Sequence, residues 1–310
     1  MKKYAMLFPG QGSQSIGMMA KFGSEKVIKK TFDEASAIIG NDLWKIISVD
    51  NNEINQTVNT QPIMLAAGIA IWRLLKERDI DDPVFIAGHS LGEFTALVAA
   101  GVMTFEDAVK IVAKRAQLMQ EAVPSNKGAM AAILGLDDQT VIRICNELNG
   151  EETIEAVNFN SPGQVVIAGH KSIIDNSLEK FKEAGAKRAL LLPVSVPSHC
   201  QLMKPAAEEF LVYLKDFNFN VPMIKVIHNV DVMSHQSIED IKDCLAKQLY
   251  NPVQWTRTIQ KLYDEGTDTF VEGGPGRVLM GLNKRIVNDC THYSLDSSES
   301  TAQFVSEIII

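Results

Sequence analysis

The sequence predicts an α/β fold: a large domain with a mostly parallel sheet, and a small domain inserted into it. Short apolar runs alternate with longer helical patterns in the first half of the chain, which is typical of a parallel sheet covered by helices. A Gly-x-Ser-x-Gly turn joins one of these runs directly to a helix. After about residue 124 the order becomes β-α-β-β-α-β, the pattern of a ferredoxin-like module. We therefore assign residues 1–124 and 197–310 to the large domain and residues 125–196 to the insertion.

The elements of the large domain follow from apolar periodicity and turn residues. The run Tyr4–Phe8 predicts a strand that ends at Pro9 and Gly10. Thr104 predicts a helix start, because a threonine followed three residues later by an acidic side chain caps the first turn. The other predicted elements are helices Pro62–Lys76, Glu93–Ala100, Phe105 to about Ala122, Cys200–Leu214 and one ending near Leu249, and strands Val84–Ala87, Ile224–Val232 and Thr269–Glu272.

The small domain begins after a polar break from Pro124 to Lys127. Its alternating apolar positions predict four strands and two helices. The predicted elements are strands Ala129–Leu134, Ile154–Asn158, Gln164–Gly169 and Ala189–Val194, and helices Asp138–Leu148 and Ile173–Ala184.

Composition and charge exclude several classes of protein. A net charge of −8 argues against a nucleic-acid partner, because phosphate binding needs a basic face. The longest apolar run, Ile63–Trp72, is well short of a membrane span, and Tyr4–Phe8 is too short for a signal-peptide core. The four cysteines are widely spaced without a CxxC pair, which fits reduced thiols and gives no metal cage. We expect a cytoplasmic enzyme or binding protein without a metal, membrane or nucleic-acid partner.

The segment Gly88-His89-Ser90-Leu91-Gly92 matches a nucleophile elbow. A strand-to-helix turn this sharp strains the nucleophile's backbone, so its flanking residues must be nearly free of side chains. The helix that follows points its first amides toward the site, and the Leu91 amide is a natural oxyanion donor. The motif falls between a predicted strand and a predicted helix, as the chemistry requires, which favours Ser90 as a nucleophile over a chance match.

A serine nucleophile needs a general base, and position favours His199 among the six histidines. His199 follows the predicted strand Ala189–Val196 and precedes a helix, and open α/β sheets place their chemistry at strand carboxyl ends. His228 is predicted to be a core residue inside an apolar strand. Asp231 and Asp296 remain open as acidic partners of the base, and neither stands out. The other histidines are His89, His170, His235 and His292.

Arg115 lies on the apolar face of its predicted helix, four residues after Ile111 and four before Met119. A guanidinium on a buried face must be paired, because an uncompensated buried charge costs several kcal/mol. A structural ion pair or a snorkelling side chain would explain it. Because this helix directly follows the elbow helix, a substrate carboxylate near Ser90 is the alternative partner.

Two glycine-rich loops are not predicted to bind phosphate. Gly10 and Gly12 follow the first strand, but Ser15 occupies the third glycine position of a dinucleotide fingerprint, and no Walker lysine follows. We interpret this loop as a tight turn that brings the Gln11 amide toward the catalytic centre. The second loop, Glu272–Gly276, follows a predicted strand and is interpreted as a structural turn.

Eight short motifs follow one another over nearly the whole chain. They are FPGQGSQ at Phe8–Gln14, TQP at Thr60–Pro62, GHSLGE at Gly88–Glu93, MQEAVP at Met119–Pro124, NFNSPGQVVIAGH at Asn158–His170, VPSH at Val196–His199, QLYNPVQW at Gln248–Trp255 and GPG at Gly274–Gly276. In this order they resemble the motifs of the malonyl-CoA:acyl carrier protein transacylases of bacterial type II fatty acid synthesis. GHSLGE alone would also fit acyltransferase domains of modular synthases, whereas QLYNPVQW and the chain length favour the discrete bacterial enzyme.

The resemblance implies a hydrolase-like α/β core with an inserted ferredoxin-like domain. It implies that Ser90 is the nucleophile and His199 the base, with the histidine oriented by a backbone carbonyl rather than by an acid. The amides of Gln11 and Leu91 would form the oxyanion hole.

The resemblance also makes Arg115 the clamp for the malonyl carboxylate and places Gln248 beside the catalytic histidine. The implied reaction moves malonyl from malonyl-CoA to the phosphopantetheine thiol of holo-acyl carrier protein, by a ping-pong mechanism through an ester on Ser90. It needs no metal and no redox cofactor.

Two other functions stay open. A serine hydrolase would pass the acyl group to water, although Arg115 and the missing acidic partner argue against it. A non-catalytic acyl-CoA-binding protein would keep the fold, although an intact set of Ser90, His199 and Arg115 argues against that.

Overall fold

A computed structural model describes residues 3–23, 25–49, 52–124, 126–194 and 196–308. Within these ranges the chain forms nine strands and twelve α-helices, numbered here in chain order. The strands are β1 Tyr4–Phe8, β2 Phe85–Gly88, β3 Gly128–Leu134, β4 Ile154–Ser161, β5 Gln164–His170, β6 Arg188–Leu191, β7 Lys225–Ile227, β8 Thr269–Glu272 and β9 Thr291–Ser294. The helices are α1 Lys26–Ile39, α2 Leu43–Ser48, α3 Thr57–Lys76, α4 Gly92–Ala99, α5 Phe105–Glu121, α6 Asp138–Leu148, α7 Lys171–Glu183, α8 Lys204–Leu214, α9 Ile238–Lys247, α10 Trp255–Asp264, α11 Val278–Ile286 and α12 Ser298–Ile308.

A five-stranded parallel sheet forms the centre of the large unit, in the order β7-β2-β1-β8-β9. Strand β1 lies in the middle and is buried along its whole length, as expected for a parallel strand covered by helices on both faces. Its alternate side chains enter different cores: Met6 and Phe8 pack on one face with α3, α4 and α5, and Ala5 and Leu7 pack on the other with α10 and α11. The predicted fold class, with its mostly parallel sheet, is confirmed.

The small unit contains a four-stranded antiparallel sheet in the order β4-β5-β3-β6. The predicted β-α-β-β-α-β order is confirmed, and α6 and α7 cover one face of this sheet. Its other face carries Met130, Val166 and Ala168 and packs against Cys200 of the large unit. The domain boundaries stay a prediction, because Ser125 and Ser195 lie outside the described residues.

Several predicted elements differ from the structure in extent. Helix α3 begins at Thr57 rather than at Pro62, so the proline lies inside the helix and its missing N–H removes one backbone bond. Strand β7 ends at Ile227 rather than at Val232, because the following residues turn toward the carboxyl end of β2. Strand β6 ends at Leu191, whereas the sequence predicts that it ends at Val194. No helix in the described part of the chain is both long and apolar enough to cross a membrane.

The contact between β1 and the first residue of α4 requires a glycine. A Cβ atom on Gly92 would lie 2.0 Å from the carbonyl oxygen of Phe8, whereas a Cβ atom on Gly281 in α11 would meet nothing within 4 Å. We predict that Gly92→Ala lowers the free energy of unfolding by more than about 2 kcal/mol, because neither backbone segment can move aside. Gly281→Ala should raise it by roughly 0.5–1 kcal/mol, because alanine favours a helix. Urea denaturation followed by circular dichroism measures both, and equal effects would contradict the predicted contact.

Candidate active site

Ser90 lies on the turn between β2 and α4, and its backbone is strained. Its φ is +51°, a left-handed conformation that non-glycine residues seldom adopt. A Cβ atom on Gly88 would lie 1.9 Å from the backbone carbon of Gly92, so the chain can turn this tightly only with glycine there. The side chain of Asn229 holds the turn: its Oδ1 accepts from the Ser90 amide at 2.7 Å, and its Nδ2 donates to the Gly88 carbonyl at 2.6 Å.

The imidazole of His199 is hydrogen-bonded to the hydroxyl of Ser90. Nε2 lies 2.8 Å from Ser90 Oγ, and Nδ1 lies 2.6 Å from the backbone carbonyl of Gln248. A carbonyl oxygen only accepts, so Nδ1 carries the proton and Nε2 is left to accept from the serine hydroxyl. This arrangement provides a nucleophile with its base in place.

The sequence favours His199 because it is expected at the carboxyl end of a strand, and the structure corrects that reason. His199 does not lie at the carboxyl end of a strand of the parallel sheet; it lies on a loop after β6, a strand of the small sheet, and has a φ of +68°. Its amide donates to the Leu249 carbonyl at 2.8 Å. The acids left open as partners are engaged elsewhere: Asp231 bonds His235, and Asp296 pairs with Arg277.

Arg115 extends from α5 into the same site, with 1 % of its surface exposed. Its two terminal nitrogens donate to the amide oxygens of Gln61 at 2.7 Å and Gln248 at 2.8 Å, and Nη2 lies 3.4 Å from Ser90 Oγ. No carboxylate of a described residue lies within salt-bridge distance of the guanidinium, and its Nε has no partner among those residues. Burial lowers the pKa of Arg115 to about 10, and nearby Glu93 opposes the shift, so the group stays charged at neutral pH.

A fully buried carboxylate, Glu93, lies behind these groups. One oxygen lies 2.7 Å from His228 Nδ1, and the other accepts from Gln248 Nε2 at 2.8 Å and from the Asn229 amide at 3.1 Å. Gln248 therefore links Glu93 to Arg115 through its two side-chain ends. Glu93, the nearest negative charge, therefore does not contact the guanidinium of Arg115 directly, because the neutral side-chain amide of Gln248 lies between them.

Ser90 opens into a cavity of about 200 Å³ between the two sheets. Gln11 and Leu91 line it, and neither backbone amide donates to an acceptor in the described part of the chain. The close approach of Gly10 to the elbow, where an added Cβ would lie 2.4 Å from the His89 carbonyl, places the Gln11 loop beside Ser90. The apolar residues of the lining include Met119, Met130, Val166, Leu192, Val194 and Val196.

The remaining histidines do not contact Ser90 Oγ. His89 lines the cavity and bonds Asn160 at 2.7 Å through Nε2, and burial lowers its pKa. His228 follows β7 rather than lying within a strand, so the prediction of its location was wrong, although it is fully buried. His170 accepts from the Thr153 amide, and His292 stacks on Phe270.

Comparison with known proteins decides the family. Residues 5–296 match the family model of the acyl transferase domain. The chain belongs to the acyl transferase family. Curated relatives include proteins named malonyl CoA-acyl carrier protein transacylase from Haemophilus influenzae, 50 % identical over 97 % of each chain, and from Escherichia coli strain K12, 48 % identical over 97 % of this chain and 98 % of the relative.

Solved structures agree with this family membership. A malonyl-transacylase in complex with a type II polyketide acyl-carrier protein superposes on this acyl transferase with a TM-score of 0.97, at 47 % identity over 99 % of this chain and all of the other. An acyl carrier protein S-malonyltransferase from Vibrio cholerae gives a TM-score of 0.94 at 48 % identity, over 98 % of this chain and all of the other.

The structure of this acyl transferase brings together all six residues that the sequence selected for the site; their roles stay predictions. The sequence argument missed Asn229, Glu93 and Gln61. Asn229 offered no signal, because it was assigned to a strand. Glu93 had a weak one, since an acidic residue in the first turn of an otherwise apolar helix must be paired when it is buried.

Asn229 provides a direct test of the strained turn. We predict that Asn229→Ala lowers the free energy of unfolding by about 2–4 kcal/mol, because it leaves the Ser90 amide and the Gly88 carbonyl without a buried partner. It should also slow the reaction of Ser90 with a fluorophosphonate at least tenfold. Asn220→Ala is the matched control, since the Asn220 side chain is exposed and donates one bond of 3.4 Å, to the Gly101 carbonyl, and its loss should change neither quantity. If Asn229→Ala were as stable as the parent protein and Ser90 reacted with the fluorophosphonate at the normal rate, the turn at Ser90 would not depend on the Asn229 side chain, and the prediction would be wrong.

Proposed function

We propose that this acyl transferase moves the malonyl group of malonyl-CoA to the phosphopantetheine thiol of acyl carrier protein through an ester on Ser90. One observation carries the proposal: Ser90 Oγ lies 2.8 Å from a neutral imidazole nitrogen and 3.4 Å from a guanidinium that no carboxylate of the described chain neutralises. A nucleophile beside a free cation suits an acyl group with its own carboxylate. The names of the curated relatives support the same substrate pair.

In the first half-reaction Ser90 Oγ attacks the thioester carbonyl while its proton passes to His199 Nε2. The oxyanion that forms is stabilised by the amides of Gln11 and Leu91. As the tetrahedral intermediate collapses, the carbon–sulfur bond breaks and His199 returns the proton to the leaving CoA thiolate. Malonyl remains as an ester on Ser90, and its carboxylate pairs with Arg115.

In the second half-reaction the thiol of the carrier protein enters the same cavity. His199 takes the thiol proton, the sulfur attacks the ester carbonyl, and the proton returns to Ser90 Oγ as the carbon–oxygen bond breaks. The two halves together are ping-pong transfer, with no change of oxidation state and no need for a cofactor. A malonyl-transacylase related to this chain has been solved with its carrier protein, which supports carrier protein as the second partner.

We place the reaction in the cytoplasm, where its product would serve fatty acid synthesis. The domain division also belongs to this proposal: residues 125–196 would form an inserted domain whose sheet covers the cavity, and residues 1–124 and 197–310 the hydrolase-like domain that carries Ser90.

Intact-protein mass after brief exposure to malonyl-CoA tests the proposal most directly. We expect one malonyl adduct that is absent in Ser90→Ala, persists in buffer and disappears on addition of holo-carrier protein. An adduct lost to water at the same rate with and without carrier protein would assign a hydrolase. If folded protein formed no adduct and released no CoA, the result would favour a non-catalytic acyl-CoA-binding protein instead.

Arg115 should determine the preference for a charged acyl group. We predict that Arg115→Ala lowers kcat/KM for malonyl-CoA by about a thousandfold, because a buried charged pair is worth several kcal/mol, and leaves transfer from acetyl-CoA within about tenfold. Arg115→Lys should be intermediate, since lysine cannot bind a carboxylate with two parallel bonds. Arg143→Ala, an exposed arginine on α6, is the control. Equal losses with both acyl groups in a folded variant would contradict the clamp.

The pH profile should show that the base is neutral well below pH 7. Burial and then the charge of Arg115 lower the pKa of His199 to about 3. We therefore predict that kcat/KM for acylation changes less than about twofold between pH 8 and 5, whereas a base with a pKa of 6.5 would lose about thirtyfold. Malonyl-pantetheine is the substrate, because it lacks the phosphates of CoA.

The same shift has a consequence for stability that must be controlled. Below pH 6.5 the unfolded chain protonates this histidine and the folded chain does not, so stability falls as the pH drops from 6.5 toward 3. Circular dichroism at pH 5 must therefore show folded protein. A loss of activity centred near pH 6.5 in folded protein would contradict the prediction.

A further inference from the structure

One wall of the cavity beside Ser90 is formed by the first turns of α3. Gln61 follows Thr57 by four residues, so both lie on the same face of the helix, and both line the cavity. Only 1 % of the surface of Gln61 is exposed. A buried polar side chain must find its hydrogen-bond partners inside the protein, and those of Gln61 lie on α5.

The partners of Gln61 fix which way its side-chain amide points. Oε1 accepts from Arg115 Nη1 at 2.7 Å, and Nε2 lies 3.7 Å from the sulfur of Met119. A guanidinium only donates, so the amide oxygen must face it. A thioether is a weak acceptor, and the charged bond to Arg115 is therefore the stronger of the two contacts.

Gln61 and two other residues hold the guanidinium of Arg115 on three sides. Gln61 bonds Nη1, Gln248 bonds Nη2 at 2.8 Å, and the centre of the Phe94 ring lies 5.3 Å from Cζ. The two amides use only two of the five N–H donors of the group. Nε has no partner among the described residues, and Nη2 lies 3.4 Å from Ser90 Oγ. The guanidinium is thus fixed beside the nucleophile, with donors left for a carboxylate.

The charge of the side chain at position 61 matters as much as its hydrogen bond. A glutamate there would have the same length and would bond the guanidinium more strongly, but it would also neutralise the guanidinium. The neutral amide of Gln61 satisfies the Nη1 donor of Arg115 and leaves the positive charge for the acyl group.

We propose that Gln61 determines the preference for a charged acyl group, because it positions the guanidinium of Arg115 without neutralising it. This inference rests on the proposed function and names a residue that selects its substrate. The simpler explanation is that Gln61 only satisfies a buried donor. In that case a change at Gln61 would lower the stability of the protein and slow the reaction of every acyl group alike.

Two variants separate the effect of charge from that of the hydrogen bond. Intact mass measures the second-order rates at which malonyl-pantetheine and acetyl-pantetheine acylate Ser90. We expect Gln61→Glu to lower the malonyl-to-acetyl ratio of these rates at least about a hundredfold, because the introduced carboxylate competes with that of the substrate for Arg115. Gln61→Met adds no charge and removes the acceptor, so it should lower the ratio about tenfold.

Gln139→Glu is the matched control, because it makes the same change of charge at an exposed residue in the first turn of α6. It should keep the ratio of the parent protein. An uncharged fluorophosphonate should label Ser90 at pH 8 in all three variants within about threefold of the parent rate. Such labelling shows that the nucleophile and its base are intact.

The pH dependence of fluorophosphonate labelling is a second readout, and it involves no acyl carboxylate. Burial lowers the pKa of His199 most, and the charge of Arg115 lowers it further, with a smaller contribution from His89. The carboxylate introduced by Gln61→Glu would offset the charge of Arg115, so the pKa of His199 should rise. Labelling of this variant should therefore begin to fall at a higher pH than labelling of the parent protein or of Gln61→Met.

The inference is overturned if the parent protein prefers malonyl and Gln61→Glu keeps that preference, or if the variants slow both acyl groups equally. If Gln61→Glu does not fold, Gln61→Met decides, and an unchanged ratio in that variant overturns the inference. A parent protein that the fluorophosphonate labels but that shows no preference for malonyl would overturn the proposed function as well.

Discussion

The site depends on one buried carboxylate, Glu93, which has no access to water. An ionised carboxylate only accepts hydrogen bonds, so every group that contacts it must present a donor. Its partners are His228 Nδ1, the Asn229 amide and Gln248 Nε2. A buried charge is tolerated only when its hydrogen bonds are complete, and this requirement fixes how the three partners are oriented.

Two of those partners carry the constraint to the reacting groups. Gln248 places its amide oxygen on Arg115 and its backbone carbonyl on His199, which sets the tautomer of the imidazole. Asn229 places its side chain on the elbow. Ser90 and His199 both have positive φ values, and such strain persists only where neighbouring contacts over-determine it. The backbone carbonyl of Gln248 therefore occupies the place at His199 Nδ1 that the carboxylate of a Ser-His-Asp triad would take.

The sequence was sufficient for much of the fold, because local patterns coincided with tertiary structure. Helix α6 and strands β1 and β8 have the predicted bounds, and the Thr104 side chain caps α5 by accepting from the Asp107 amide. Helices α1, α2, α10, α11 and α12 and the edge strand β9 were not predicted from the sequence.

The rest of the site could not be predicted, because it depends on contacts between distant residues. The apolar run after Ile224 has the composition of a longer strand, yet the chain leaves the sheet at His228 to reach a carboxylate 135 residues earlier. The hydrophobic periodicity of a segment describes its local structure, so it cannot show a contact between residues so far apart in the sequence. His199 was selected for a strand end that the structure does not have, and its position comes from the Leu249 and Gln248 carbonyls.

The distance between Glu93 and Arg115 explains how the guanidinium stays both buried and available. A carboxylate bonded directly to Arg115 would have to be displaced before an acyl carboxylate could bind. With Gln248 in between, Glu93 reduces the cost of burying the charge and leaves it unneutralised. The same charge helps to keep His199 deprotonated in the free enzyme. In the proposed reaction the malonyl carboxylate would neutralise it, so the pKa of His199 would rise once substrate is in place, and the base would become stronger at the step that needs it.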